Sequence, residues 1–357
     1  MIASCGRGNS FVERVNGDTI TSEAEYMTMI DCGDWVAVEI RAPWSDSLAI
    51  GRYGIIRPGS KNVEIAEGYV PIEAPLSQSV VFSSVYTSAI DELGKIEAIK
   101  GVADGSYYLE NDAVAKLMKD GKIVDVGSSM SPLTEKVVDI EPDAILISPY
   151  AGGSSTGVER LGVPLVWMAD YLETSPLGRA EWILLLGELY GKADEAREIF
   201  ETTKRNYEYV KSTVSKAEEC PTVIAEKPMS GVWYEPGGRS YIAKMFEDAG
   251  AAYPWASNDD SGSISLDEEA VIDKSSDADV WLFKEIKEYS ASDLSKELPR
   301  ARVLKPFPES TYYCNTLDVP YYNVIAFHPD VVLSDMAAIF HPALFPGYEL
   351  KFYKKLQ

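Results

Sequence analysis

The sequence predicts an α/β protein with two lobes of mixed or parallel sheet and flanking helices, joined by one long helix and preceded by an N-terminal antiparallel β appendage. Short apolar runs alternate with helix-length segments on both sides of residues 176–218, and strands separated by helices indicate parallel pairing. Residues 176–218 follow a helical period with almost no strand-like character. Residues 8–70 alternate like the strands of hairpins.

These patterns divide the chain into five parts. They are a tether over residues 1–7, a β appendage over 8–70 that extends the first lobe, an N-terminal α/β lobe over 71–175, a connecting helix over 176–218 and a C-terminal α/β lobe over 219–357. A chain of 357 residues is long enough for each lobe to have its own hydrophobic core.

Each part has its own local signal. In the appendage, apolar alternation over 26–30 and 35–40 flanks a turn-like Asp-Cys-Gly-Asp segment, which predicts a hairpin. The first lobe is predicted to have strands over 79–82, 96–102, 144–148 and 164–168, and helices over 89–93 and 113–119. The second is predicted to have strands over 222–225 and 280–283, and helices over 241–249, 266–273 and 330–340. The amphipathic segment 194–216 predicts a helix about 35 Å long.

The composition excludes several functions. Lys and Arg total 33 against 56 Asp and Glu, a net charge of −23, which opposes binding to nucleic acid and to an anionic membrane surface. The chain has no run of about 18 apolar residues, as a membrane-spanning helix would need. The only histidines, His328 and His341, both precede proline, and a Rossmann glycine motif is missing. We therefore expect no catalytic residues, no protein-bound metal and no enzyme activity.

The cysteines leave alternatives open. None of Cys5, Cys32, Cys220 and Cys314 forms a Cys-x-x-Cys pair, so a zinc ribbon is not predicted, and either one disulfide forms or the thiols are free. The Ala-Ser-Cys sequence ending at Cys5 resembles the end of a bacterial lipoprotein signal, which predicts a lipid anchor on Cys5. The alternative is an ordinary N-terminal cysteine.

Two stretches carry a resemblance to a known family. Residues 133–147 read LTEKVVDIEPDAILI, and residues 266–273 read LDEEAVID before a strand-like segment at 278–282. In order and spacing they resemble the substrate-binding proteins of bacterial ABC importers for iron-siderophores, haem and vitamin B12, a two-lobed type with a helical strut. The resemblance covers about residues 71–345. The N-terminal strands depart from the compact members of this family.

The resemblance implies a transport receptor. It would capture a ferric siderophore in the cleft between the lobes and deliver it to the permease in the inner membrane, with cobalamin or haem as alternative ligands. It would be a periplasmic monomer anchored through Cys5, with no cofactor beyond iron or cobalt carried by the ligand. The alternative of another class is a two-lobed α/β enzyme, for which the sequence offers no singled-out acid/base pair.

The resemblance also implies a docking surface. In the family, one glutamate per lobe at the exposed start of a helix contacts arginines of the permease, and by position these are Glu135 and Glu269, with Glu268 as the neighbouring alternative. A helix N-terminus favours negative charge, so an ordinary solvated acid at each position is the other interpretation.

A ligand site is expected beyond the carboxyl ends of the strands, where open α/β sheets bind ligands. The loops there are rich in aromatic residues, which suit a bulky, flat or amphipathic chelate. Loop cations are few, so a large and more neutral chelate is favoured over a highly charged anion, and Arg239 is the best-placed cation. The predicted ligand-binding residues are Ser84, Tyr86, Tyr107, Tyr150, Tyr171, Trp233, Tyr234, Arg239 and Tyr321.

Overall fold

The structure is a computed structural model that describes residues 15–41, 44, 49–108, 113–149 and 156–357. It separates into two units. The first comprises Met1–Leu172 and Glu181–Phe200, and the second comprises Glu173–Ala180 and Glu201–Gln357. The chain therefore passes between the units at three points, whereas the sequence predicted a single passage through residues 176–218.

The first unit begins with a five-stranded sheet. Its strands, in spatial order, are β1 (Asp18–Thr19), β2 (Met27–Asp31), β3 (Trp35–Arg41), β4 (Ala49–Ile56) and β5 (Val70–Glu73). The first four pair antiparallel, as predicted, but β5 runs parallel to β4, so the appendage is mixed at its last strand. Strand β3 is buried from Trp35 to Ile40, so both faces of the sheet are covered.

A parallel sheet follows in the same unit. Its strands are β6 (Ser79–Val81), β7 (Ile99–Val102), β8 (Val124–Asp125), β11 (Ala144–Ile147) and β12 (Leu165–Trp167). Their spatial order is β12-β11-β6-β7-β8, so the strand order reverses between β6 and β11. The intervening elements are helices α1 (Ser84–Glu92), α2 (Ala113–Lys119) and α3 (Thr134–Ile140) and the short hairpin β9 (Gly127–Ser128) and β10 (Ser131–Pro132).

The predicted single helix over 176–218 is three helices. These are α4 (Pro176–Ala180), α5 (Ile183–Leu189) and α6 (Ala193–Val214). Gly191 has a φ of +66°, a left-handed conformation that ends α5 and is accessible to glycine at little cost. The long amphipathic part of the prediction, 194–216, agrees with α6 to within two residues.

The N-terminal sheet is tied to this helical segment inside the first unit. The Glu181 carboxylate, which has no solvent exposure, accepts hydrogen bonds from the backbone N–H groups of Ser22, Glu23 and Ala24 at 2.7–2.8 Å. Arg57 on the sheet side forms an ion pair with Glu188 of α5, with 2.8 Å between Nη2 and Oε1. The appendage is therefore an integral layer of the first unit.

The second unit has two sheets. The larger contains β13 (Val223–Ala225), β17 (Val280–Glu285), β18 (Thr311–Asn315) and β19 (Tyr353–Lys355), of which the first three are parallel and the last is antiparallel. The smaller is an antiparallel sheet of β14 (Pro228–Met229), β15 (Val232–Pro236) and β16 (Ser263–Asp267). The sequence pattern predicted β13 and β17 and missed the other strands.

Five helices complete the described part of the second unit. They are α7 (Tyr241–Asp248), α8 (Glu268–Ser275), α9 (Ala291–Glu297), α10 (Tyr321–Phe327) and α11 (Pro329–Phe340). Helix α8 begins at Glu268 because residues 263–267 form β16, so the predicted start at residue 266 was two residues early. Helix α11 begins one residue before its prediction and ends where predicted.

The two histidines lie at the ends of α11. His328 precedes the helix without a side-chain capping bond, and its Nδ1 lies 3.4 Å from Oγ1 of Thr203, whereas His341 follows the helix and its backbone N–H donates to the Ala337 carbonyl. Among the described residues, no single helix has the length and apolar composition of a membrane span. Helices α10 and α11 have that length and composition only when taken together, and the two are bent by 106° relative to each other.

The described cysteines are all free. Cys32 is half-buried, Cys220 is exposed and Cys314 is buried. Of the two alternatives for the thiols, the structure therefore favours free thiols at these three positions. Cys5, the predicted lipidation site, lies outside the described residues.

Candidate functional site

The carboxyl ends of β6, β11 and β12 in the first unit carry a polar cluster. The Tyr86 hydroxyl donates to Asp170 Oδ1 at 2.7 Å and lies 2.9 Å from the Ser148 hydroxyl. Tyr86 is on α1, directly after β6, whereas Ser148 follows β11 and Asp170 follows β12. The cluster therefore lies where the strand order reverses, the place at which open α/β sheets bind ligands.

The cluster changes the interpretation of Tyr86. Its side chain is only 2% exposed and its hydroxyl is used inside the protein, so it holds three loops in place and offers no free ligand contact. Tyr86 lies at the carboxyl edge of the sheet, where its burial and internal hydrogen bond do not support the predicted ligand contact. Ser84, in the first turn of α1, is half-buried and remains partly accessible at the same edge.

The remaining predicted aromatics of the first unit differ in accessibility. Tyr171 is 38% exposed, and its hydroxyl donates to the carbonyl of Pro149 after β11, so its ring lies at the carboxyl edge. Tyr150 and the side chain of Tyr107 lie outside the described part of the chain.

The second unit presents exposed apolar side chains after each of its three parallel strands. Because the carboxyl ends of parallel strands meet at one edge, these side chains share that edge. They are Met229 after β13, Ile286 after β17, and Leu317 and Tyr322 after β18, each more than half exposed. We call these four residues the apolar edge. Each is a candidate ligand contact, because large exposed apolar side chains at the carboxyl ends of parallel strands suit a binding surface.

A half-buried ion pair lies beside the apolar edge. The Lys284 ammonium, near the end of β17, is hydrogen-bonded to the Glu226 carboxylate and lies 5.5 Å from the centre of the Tyr321 ring. Tyr321 meets Tyr322 edge to face, with ring centres 5.5 Å apart, so the pair reaches the apolar edge. Burial lowers the pKa of Lys284, but the Glu226 carboxylate together with Tyr321 and Tyr322 raises it above its usual range, so this side chain stays charged.

A second lysine at this edge is also neutralised. Nζ of Lys227, just after β13, lies 2.8 Å from Oε1 of Glu285 and also pairs with Glu297 on α9. Both acids raise the pKa of Lys227 against the opposing effect of burial. Lys227 and Lys284 are thus internally paired, whereas the exposed Lys287, next to Ile286, has its ammonium 5.5 Å from the centre of the Tyr289 ring.

Two predicted contacts of the second unit are core residues. Trp233 has no exposure, and its indole N–H donates to the Ala225 carbonyl at 2.9 Å. Residues 232–236 form β15, in which side chains alternate, so Trp233 and Glu235 point inward and Tyr234 is exposed. Tyr321 is 2% exposed and packs against Phe352 and Tyr353. The predicted ligand contacts by Trp233 and Tyr321 are not supported, because burial removes both from the surface.

Glu235 is an unusual member of that core. It has no exposure, accepts a 2.9 Å hydrogen bond from the Tyr253 hydroxyl, and faces the Ala225 amide. Burial raises the pKa of Glu235 well above its usual range. The group is therefore a structural part of the β13–β15 contact.

Arg239 lies apart from the apolar edge. It is exposed in the turn between β15 and α7, where its backbone N–H donates to the Asp260 carbonyl at 3.0 Å. It lines a cavity of about 530 Å³ whose other walls are α7 and residues 251–256, and no residue of the apolar edge lines this cavity.

The two predicted docking glutamates are both exposed in the first turn of a helix. Glu135 begins α3 and has no ion pair with another described residue. Glu269 is the second residue of α8, is 81% exposed, and lies 3.4 Å from Nη1 of Arg300. The neighbouring alternative, Glu268, is half-buried and lies 4.0 Å from Nε of the same arginine. Glu269 is thus the more accessible of the two.

The described residues contain no group of three or more His, Cys, Asp or Glu side chains that could hold a metal ion.

Two α/β units, each with a parallel sheet whose carboxyl ends carry partly accessible residues, are the architecture of many solute-binding proteins. The chain belongs to the periplasmic binding protein family, whose model matches residues 80–300. The resemblance drawn from residues 133–147 and 266–282 is confirmed, and so is the predicted α/β fold with its N-terminal sheet.

The relatives include two uncharacterized lipoproteins of Methanocaldococcus jannaschii. One is 30% identical over 309 residues, covering 84% of this chain and 73% of that protein. The other is 25% identical over 333 residues, covering 86% of this chain and 80% of that protein.

Solved structures share the fold at low sequence identity. A possible iron-binding (periplasmic solute-binding) protein from Staphylococcus epidermidis is 20% identical, with a TM-score of 0.57 over 74% of this chain and 98% of its own. The TroA-like periplasmic binding protein FepB from Veillonella parvula is 18% identical, with a TM-score of 0.59 over 79% and 95%. A periplasmic heme binding protein from Pseudomonas aeruginosa is 15% identical, with a TM-score of 0.57 over 75% and 93%.

Proposed function

We propose that the protein is the solute-binding receptor of an ABC importer that captures a ferric siderophore and delivers it to a membrane permease. Membership of the periplasmic binding protein family supports the binding role. The observation that carries the proposal is the apolar edge of the second unit, with Lys227 and Lys284 beside it paired to acids.

This edge favours a chelate with little net charge. A chain with a net charge of −23 repels a polyanion, and paired lysines do not offset that repulsion. A ferric hydroxamate fits, because the charges of its hydroxamates cancel that of Fe³⁺, whereas a ferric catecholate remains anionic. A neighbour in fold is described as part of an ABC-type Fe³⁺-hydroxamate transport system.

Tryptophan fluorescence tests the proposal directly. The purified protein has seven tryptophans, so quenching by a bound chromophore is measurable. We expect saturable quenching by a ferric hydroxamate at micromolar concentration or below, and weaker quenching by a ferric catecholate. Saturable quenching by haemin or cyanocobalamin alone would assign a different ligand to the protein and would still support its role as a receptor. No saturation by any of them would overturn the proposal.

The apolar edge supplies a first test by substitution. Tyr322→Ala and Ile286→Ser each remove a side chain more than half exposed at this edge, and we expect each to weaken chelate binding roughly tenfold, or about 1.4 kcal/mol. The matched control is Tyr209→Ala, which removes another tyrosine that is more than half exposed, from α6, and is expected to leave affinity unchanged. Unchanged affinity in both edge variants would remove this edge from the site.

Docking to the permease is the second part of the proposal. Glu135→Ala and Glu269→Ala are expected to leave ligand affinity intact and to lower uptake in cells several-fold, because each removes an exposed charge that would pair with a permease arginine. Asp139→Ala on α3 and Asp273→Ala on α8 remove exposed acids from the same helices and serve as controls. An equal loss of uptake in the controls would mean that uptake depends on the total negative charge of these helices and not on docking at Glu135 and Glu269.

We also propose an extracytoplasmic location with a lipid anchor on Cys5. The family and the two relatives named lipoproteins support it. Both relatives come from an archaeon, so the bacterial periplasm stays a prediction, as does the monomeric state.

A further inference from the structure

Two ion pairs cross between neighbouring strands beside the apolar edge. Strand β13 is followed by Glu226 and Lys227, and its parallel neighbour β17 ends in Lys284 and Glu285. Glu226 pairs with Lys284, and Lys227 pairs with Glu285 and also with Glu297 on α9. We call the four residues of the two strand ends the crossed pairs. Their side chains are only 9–25% exposed, and their charges sum to zero.

The backbone holds Glu226 in place. Its φ of +58° is uncommon for a residue other than glycine and persists only where neighbouring contacts fix it. Its N–H donates to the Leu282 carbonyl at 2.8 Å, and its carbonyl accepts from the Trp281 indole at 2.6 Å. Of the described residues, only Glu226 forms an ion pair with Lys284. The Glu226 carboxylate is therefore held where it neutralises this lysine.

The crossed pairs adjoin the apolar edge at two points. Ile286, one of the four residues of that edge, directly follows Glu285. The Lys284 ammonium lies 5.5 Å from the centre of the Tyr321 ring, which meets Tyr322 of the edge. Charges that are partly buried act through a lower effective dielectric constant than charges in water. A change in the charge of these pairs is therefore felt by a ligand at this edge.

The loops after β17 and β18 supply no surplus of cations. They carry Lys287, Glu288 and Asp318, which are one lysine and two acids. Both acids pair with Lys354 of β19, so this outer group of four residues also sums to zero. The acids of the crossed pairs thus leave the carboxyl ends of these strands without net positive charge.

We infer that Glu226 and Glu285 set the charge selectivity of the apolar edge, because each neutralises a lysine that would otherwise attract an anionic ligand. Selectivity of this kind is a difference between two affinities, and it is produced by lowering the affinity for the wrong ligand. The inference rests on the function proposed above in so far as the natural ligand is a chelate bound at this edge. There, the two acids would favour an uncharged chelate over an anionic one.

Two fluorescent dyes with one skeleton separate charge from apolar contact. 8-Anilinonaphthalene-1-sulfonate is an anion, and N-phenyl-1-naphthylamine is its neutral counterpart without the sulfonate. At about pH 6, which keeps a released lysine protonated, Glu226→Gln is expected to bind the anionic dye roughly fivefold more tightly than the parent protein does. Its affinity for the neutral dye is expected to stay the same. Tyr322→Ala is expected to weaken the binding of both dyes roughly threefold or more, because it removes an apolar contact.

Two further variants complete the experiment. Asp273→Asn is the matched control, since it removes one exposed acid from α8, which leads into the amino end of β17, and it is expected to leave both affinities unchanged. The double variant Glu285→Gln/Glu297→Gln releases Lys227 in place of Lys284. It is expected to tighten binding of the anionic dye by a similar factor, and it provides the test if Glu226→Gln folds poorly.

Three results would overturn the inference. They are an unchanged affinity for the anionic dye in both acid-to-amide variants, an equal gain in Asp273→Asn, and dye binding to Glu226→Gln that Tyr322→Ala does not weaken. The chelate titration separates these results from the proposed function. A parent protein that binds no chelate would refute that function and leave the dye comparison unaffected, whereas chelate binding without a gain for the anionic dye would refute only the selectivity role.

Discussion

Asp335→Ala is expected to lower the free energy of unfolding of the second unit by roughly 3–5 kcal/mol. Asp335 has no solvent exposure and lies on α11. Its carboxylate accepts from the amides of Lys351, Phe352 and Tyr353 at 2.7–3.1 Å and from the Tyr348 hydroxyl at 2.9 Å. Alanine would leave these donors without an acceptor in a buried place, which costs more than the lost bonds themselves.

Urea denaturation followed by tryptophan fluorescence measures this effect, and amide exchange at Phe352 and Tyr353 localises it. The control is Asp318→Ala. It removes an acid that lies 2.9 Å from Nζ of Lys354, and Lys354 is on β19, the strand that begins at Tyr353. That pair is about half exposed on both sides, so its loss is expected to cost less than about 1 kcal/mol. Equal costs for the two variants would contradict the assigned role of Asp335.

The second large effect is expected at Glu181 in the first unit. Glu181→Ala is predicted to cost roughly 3–5 kcal/mol of unfolding free energy, because three backbone amides and the Ser22 hydroxyl converge on this buried carboxylate. Glu181→Gln is expected to be nearly as costly, since its amide group would turn a donor toward one of these N–H groups.

Ser22→Ala provides the matched comparison. It removes only the hydroxyl at 3.1 Å from Oε1 and keeps the three backbone donors, so the expected cost is about 1 kcal/mol. Both variants are compared by their urea midpoints. A Glu181→Ala protein as stable as Ser22→Ala would mean that the N-terminal sheet does not depend on this carboxylate.

The parallel strands β6, β11, β13 and β17 were predicted from a continuous apolar run, whereas β2 and β3 were predicted from apolar alternation. β6, β11, β13 and β17 are buried on both faces, as parallel strands between helices are, and their sequences are rich in Val, Ile and Leu. β16 has the burial pattern of a strand exposed on one side, and β14 is two residues long. Such strands have too few apolar residues to be told from loops.

In the candidate site, too, some features could be predicted from the sequence and others could not. Tyr86, Tyr171 and Tyr321 are all tyrosines near carboxyl ends of strands, and nothing in their sequence neighbourhood separates them. The structure buries Tyr86 and Tyr321 and leaves Tyr171 partly exposed. Ile286 and Leu317 were not predicted as site residues, because single apolar residues after a strand are common, and only the shared edge makes them a surface.

The sequence by itself determined the α/β class, the order of the two α/β parts, the long helix α6 and the family, because these depend on local periodicity and short motifs. Only the tertiary structure decided which aromatic residues are accessible and which acids are held in the interior. Glu181 meets partners 157–159 residues away in the chain, and Asp335 meets a strand 16–18 residues later. Burial and long-range hydrogen bonds are properties of the packed chain, so no local pattern encodes them.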